Sequence, residues 1–130
     1  MPLSGLPSTF PVSTPAVIEN FSLSGQTSAI ATTTLLSPAL VGLYLVTVVL
    51  EVTTVGTAGT ISANVTFTDD VGNPTIAVVT SATVTSTSRT QATYAFINTS
   101  QANPIQYSTT FNSVTGTPAY RVYYSLALVG

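Results

Sequence analysis

Histidine, cysteine, lysine and tryptophan are all missing from this 130-residue chain. Without Cys or His, a zinc, haem or iron–sulfur centre has none of its usual ligands, and no cofactor is called for. Without His, Cys or Lys, most nucleophilic and acid–base chemistry has no carrier, so the chain does not read as an enzyme. Charge is nearly absent as well: charged residues are 5% of the chain, against about 25% in an ordinary soluble domain. All six are quickly named: Glu19, Glu51, Asp69, Asp70, Arg89 and Arg121. Two arginines against four carboxylates cannot neutralise a phosphate backbone, which argues against nucleic acid as a partner. Nor do they make a basic patch for an anionic membrane. The most apolar stretch, residues 35–50, is broken by Pro38 and Gly42 and closed by Glu51. It falls short of the roughly 18–20 apolar residues of a spanning helix. The first residues lack a charged n-region and an unbroken apolar core, so they do not read as a signal peptide.

What the chain does have is 25 Thr, 15 Ser and a 45% share of hydrophobic residues. The length suits one domain. Residues 1–17 form a distinct arm with Pro2, Pro7, Pro11 and Pro15. Proline cannot donate to a ladder and disfavours helix in the residue before it. Leu3, Leu6, Phe10 and Val12 lie between the prolines, and apolar residues on such an arm favour docking on a neighbouring subunit over free solvation.

Residues 18–130 read as strands, because β-branched residues dominate and turn signals recur at short intervals. Ser28–Leu36 is an expected strand. Leu43–Thr54 is the strongest, with Tyr44, Val46, Val48, Leu50 and Val52 on one face. Its other face is also largely apolar, which places it centrally or against another subunit. After a turn at Gly56–Gly59, Thr60–Thr68 alternates, with Ile61, Ala63, Val65 and Phe67 inward and Ser62, Asn64, Thr66 and Thr68 outward. Thr75–Thr80 follows, running on as far as Thr85. Ser86–Gln91 reads as a polar loop holding Arg89. Ala92–Asn98, Pro104–Phe111 and Ala119–Val129 complete the set. About eight strands without a helix predict an all-β fold, a single antiparallel β-sandwich of jelly-roll type.

Few residues offer a site. Asp69, Asp70 and Asn73 share one turn and could hold Ca²⁺, but their spacing is not that of an EF-hand and a hairpin turn explains the same residues. Five tyrosines, Tyr94, Tyr107, Tyr120, Tyr123 and Tyr124, could line a sugar-binding face. Tyr120 and Tyr124 fall on the apolar phase of their strand, where core packing is the default, leaving Tyr123 as the best exposed candidate. Arg121 shares its face, and pairing with Glu51 would make a cross-strand or inter-subunit ion pair. Tyr123, Arg121 and Glu51 therefore mark a ligand or interface face. Three glycosylation-type triplets begin at Asn20, Asn64 and Asn98, as chance allows in a chain this rich in Ser and Thr.

A free sandwich protects its edges with Lys, inward charges or bulges. This chain has no Lys, and its mean hydropathy is +0.49. Such a surface predicts cover by copies of itself, a homotrimer or larger array.

Several stretches are similar to a β-sandwich module of tailed-bacteriophage virion proteins. They are Gln26–Leu35, Gly42–Val46, Gly59–Ile61, Phe67–Gly72, Ile105–Thr110 and Tyr120–Tyr123. The resemblance covers roughly four-fifths of the chain. It implies a structural role at the virion surface, as a capsid decoration or head-fibre protein bound to itself and to a major capsid protein or other virion proteins. Leu45 stands where the module carries Arg, so no site detail is transferred. Two other functions are expected as alternatives: a receptor- or carbohydrate-binding module of a phage fibre, and a pilus or fibre subunit that assembles by strand donation.

Overall fold

Residues 16–130 are described by the computed structural model, and they contain no helix. Eight strands follow in order: β1 (Ala16–Gln26), β2 (Thr33–Leu36), β3 (Gly42–Thr54), β4 (Ala58–Thr66), β5 (Thr75–Thr83), β6 (Arg89–Asn98), β7 (Ile105–Thr115) and β8 (Ala119–Leu128). They form two four-stranded sheets, β1-β8-β3-β6 and β2-β7-β4-β5, with every pairing antiparallel. Every connection except β4–β5 passes from one sheet to the other, which is the jelly-roll solution to closing a sandwich.

Alternation builds the core. Tyr44, Val46, Val48, Leu50 and Val52 of β3 and Tyr120, Val122, Tyr124 and Leu126 of β8 are fully buried. They meet Ile61, Ala63 and Val65 of β4 and Ile105 and Tyr107 of β7 across the sandwich. Two inner faces interdigitating in this way are the ordinary core of a sandwich. β3 is central in its sheet, between β8 and β6.

The core contains phenols, and three of them have hydrogen-bond partners within it. The Tyr120 hydroxyl donates to the Ser28 carbonyl at 2.8 Å and lies 2.6 Å from the Thr109 hydroxyl. Thr109 Oγ1 also accepts from the Ile30 amide at 2.7 Å. This chain of bonds pins the β1–β2 linker to β7 and β8. The Tyr124 hydroxyl bridges the carbonyls of Ser108 and Asn64, and the Tyr44 hydroxyl donates to the Leu40 carbonyl. No buried side-chain polar atom among the described residues lacks a partner, as a well-formed interior requires.

Burial raises the ionisation of Tyr44, Tyr120 and Tyr124 above the ordinary phenol range, with their hydrogen bonds pulling weakly the other way. In Tyr124 the neighbouring Tyr120 and Tyr107 add to the rise. Above about pH 10 an unfolded tyrosine releases its proton, while these three hold theirs. The unfolded chain then binds fewer protons than the native one, so stability falls as pH rises. No side chain has an ordinary pKa between those of the carboxylates and the phenols. Thermal unfolding followed by circular dichroism should therefore give a midpoint flat from roughly pH 6 to 9 that declines steadily beyond about 10. A decline beginning near neutrality would contradict the assignment.

The structure differs from the sequence-based expectation in four places. β1 was not delimited as a strand in advance, and it begins at Ala16, inside the expected arm 1–17. It is an edge strand, and shifts in register at Val17/Glu19 and Leu23/Gln26 break its alternation. The expected strand Ser28–Leu36 is strand only over Thr33–Leu36, because the preceding residues are tied through side chains to Thr109 and Tyr120. Arg89 lies not in a loop but at the start of β6, directly across from Glu51. Ser62 and Asn64 do point outward, yet they are buried. Asn112 Nδ2 donates to the Ser62 hydroxyl, and Asn64 Nδ2 donates to those of Ser108 and Thr110. Neutral amides and hydroxyls cover one another on that face.

Candidate functional site

Antiparallel register places Arg121 of β8 and Arg89 of β6 on either side of Glu51 of β3, in one row across the outer face of the first sheet. Both cations of the chain therefore sit together. Arg121 Nε donates to Glu51 Oε1 at 2.6 Å, and no second ion pair occurs among the described residues. The next row holds Ser22, Tyr123, Val49 and Gln91, and the one after it Asn20, Ser125, Thr47 and Thr93. Together with Ser24, the first two rows and Thr47 line a shallow groove of about 520 Å³. Tyr123 is half-buried there. The groove offers guanidinium, hydroxyl and amide groups, which suit recognition of a polar or anionic ligand.

The Arg121 and Glu51 side chains are 55% and 30% exposed, so water screens most of their attraction. Glu51→Gln should lower stability by less than about 1 kcal/mol in urea denaturation. A loss of several kcal/mol would mean that the pair is structural.

Toward the other end of the same face the rows become apolar: Ala127, Leu45 and Ala95, then Leu43 and Ile97. Beside them lies a second hollow, of about 470 Å³, lined by Leu43, Ala95 and Ile97, by the ring-bearing Phe67, Tyr94 and Phe96, and by the turn Asp69–Val71.

That turn contains the calcium candidate. Asp69 Oδ1 accepts from the amides of Val71 and Gly72 at 2.8 and 3.0 Å. Asn73 Oδ1 accepts from the Thr68 hydroxyl, which in turn accepts from Asn103 Nδ2. The two bonds to Asp69 are those of an Asx turn. No group of three Asp, Glu, His or Cys side chains converges on a metal position among the described residues.

The structure separates the tyrosines. Tyr120, Tyr124 and Tyr107 are core residues, and Tyr94 packs beside Phe67 and Phe96. Only Tyr123 faces the groove. Of the three glycosylation-type asparagines, Asn64 and Asn98 are buried. Asn98 donates to the carbonyls of Leu40 and Ser100 and accepts from the Thr68 amide. A glycan on either would require opening the fold. Leu3, Leu6, Phe10 and Val12 lie outside the described residues. Arg89 is the groove residue that sequence reasoning missed. Its signal was the spacing that sets it opposite Glu51, which cannot be read until the β3–β6 register is known.

The fold defines the class, an eight-stranded jelly-roll β-sandwich. The chain is similar in structure to the PRD1 vertex protein P5, with a TM-score of 0.55 and 14% identity over 88% of this chain and 99% of that one. It also aligns with a structure of the infectious bursal disease virus Gx strain, at 18% identity and TM-score 0.49 over 89% of this chain and 33% of that one. A third alignment is with a Family 16 Carbohydrate Binding Module-2, at 16% identity and TM-score 0.39 over 81% and 71% of the two chains. At these identities the likeness is one of fold. No protein-family model matches the chain, and no curated protein matches it in sequence.

Proposed function

We propose that this protein is a structural component of a virus particle, a capsid decoration or head-fibre type subunit. It assembles with copies of itself and attaches to the particle surface through its arm and sheet faces. The observation that carries this reading is the end-to-end likeness of the jelly roll to a viral vertex protein, of which it covers 99%. The surface supports it. Leu40, Val41, Leu43, Leu45 and Ile97 are exposed near one end of one sheet, an arrangement more typical of contact surfaces than of free monomers.

Two measurements test the reading. Sedimentation of the full chain at neutral pH over a hundredfold dilution should show an oligomer, and a monomer throughout would overturn it. Peptide mass spectrometry of gradient-purified particles from cultures carrying the gene should find this chain as a stoichiometric component. Particles lacking it would also overturn the reading.

The groove favours a second reading, a carbohydrate-binding module. Both arginines, Gln91 and Tyr123 line it together, a donor set suited to sugar hydroxyls and carboxylates. A glycan array positive for the wild type and negative for Arg89→Ala and Tyr123→Ala would support that reading.

A further inference from the structure

We propose that the apolar end of the outer face of the β1-β8-β3-β6 sheet is the receptor for the proline-rich arm of a neighbouring copy. This rests on the oligomeric reading above and names the surface that closes the assembly. Leu43 and Leu45 are 38% and 37% exposed, Ile97 56% and Val71 95%. All four lie at or beside one end of one face, next to the 470 Å³ hollow whose lining includes Phe67, Tyr94 and Phe96. Apolar area of this kind normally marks a contact surface.

The occupant is identified by where the chain enters the described structure. Ala16 pairs with Leu128, and Leu128 pairs with Tyr44. The arm therefore joins the sheet at the end that carries Leu43 and Ile97, not at the arginine end. Its fifteen residues include Leu3, Leu6, Phe10 and Val12 and carry no charged side chain. The receiving face likewise has no cation near it, and its acids, Asp69 and Asp70, stand only at the rim.

The composition of the arm matches this face. Phe10 is complementary to the ring-lined hollow, and Leu3 and Leu6 to Leu43, Leu45 and Ile97.

Fifteen residues of polyproline-type chain could span roughly 46 Å, against about 14 Å from the first to the fourth strand of the sheet. That length can reach the equivalent face of a neighbouring copy, as the oligomeric reading requires. Such a head-to-tail contact closes into a ring where the rotation between copies permits.

Complementation between full-length variants tests this. Leu6→Asp with Phe10→Asp disables the arm. Leu45→Asp with Ile97→Asp disables the face at exposed positions. Each variant alone should associate at least tenfold more weakly than wild type in sedimentation velocity. An equimolar mixture should form a 1:1 complex, because one partner keeps an arm and the other keeps a face. Val55→Asp, an exposed apolar residue near the arginine end of β3, should leave assembly unchanged. If the mixture stays monomeric, the exchange between copies is wrong. If both variants assemble like wild type, the inference fails while the oligomeric reading stands. A wild type that is monomeric throughout overturns both. Should the face variant fail to fold, a synthetic peptide of residues 1–15 titrated into the arm variant decides the matter by NMR. Shifts at Leu43, Leu45 and Ile97 support the proposal, and a flat titration overturns it.

Discussion

Tyr124→Ala is expected to destabilise the fold by about 4 kcal/mol, enough to leave a domain of this size partly unfolded at 37 °C. Tyr124 is among the largest fully buried side chains of the molecule. Its ring stacks on Phe21 at 5.7 Å and meets Tyr107 at 5.1 Å. Three contributions are lost together. The transfer free energy of the ring goes, a cavity opens between the sheets, and two carbonyls lose the hydroxyl they share. Phe21 is on the edge strand β1, so the cavity would also loosen the first strand of the sandwich. Tyr124→Phe isolates the last contribution and should cost about 1–2 kcal/mol. Urea denaturation measures both. An alanine variant within about 1 kcal/mol of wild type would show that the interior is not held as described.

Gly59→Ala is expected to cost about 3 kcal/mol by the same measurement, far beyond the usual effect of one added methyl. Gly59 lies in β4 at a register shift against β7, between the pairs Ala58↔Thr115 and Thr60↔Asn112. Its φ of +103° is one that L-residues rarely adopt. A Cβ there would stand 2.5 Å from the Val114 Cα and 2.6 Å from the Ser113 carbonyl oxygen. Both are backbone atoms of the paired strand and cannot swing aside. Gly72→Ala is the control, because nothing lies within 4 Å of an added Cβ at that position. It should change stability by less than about 1 kcal/mol. Equal losses at the two glycines would contradict the close approach of β4 and β7.

The central strands were readable in the sequence because they are long, rich in β-branched residues and free of turn signals. In Leu43–Thr54 and Ala119–Leu128, the residues on the apolar phase are those that are buried. Regular alternation is what a strand with one face in the core produces. β1 was opaque because its two register shifts put Glu19 and Gln26 out of phase. Asn64 and Ser62 misled because polarity was taken for exposure. A face on which amides and hydroxyls satisfy one another can be buried without being apolar. The groove was half readable. Arg121, Glu51 and Tyr123 could be placed on neighbouring faces from strand phase alone. Arg89 needed the pairing of two strands about forty residues apart, which local pattern does not encode. The jelly-roll order also depends on which strands pair, and composition does not contain that information.

The row Arg121–Glu51–Arg89 has a consequence for proteolysis. With no lysine in the chain, trypsin has only these two arginines to cut after. Arg121 lies inside β8, flanked on both sides, whereas Arg89 is the first residue of the edge strand β6. A protease needs an extended, unpaired segment, so cleavage after Arg121 must wait for the sheet to open. The rate at which trypsin cuts the native protein after Arg121 is thus a clock of that opening, with no background of clipping at surface lysines.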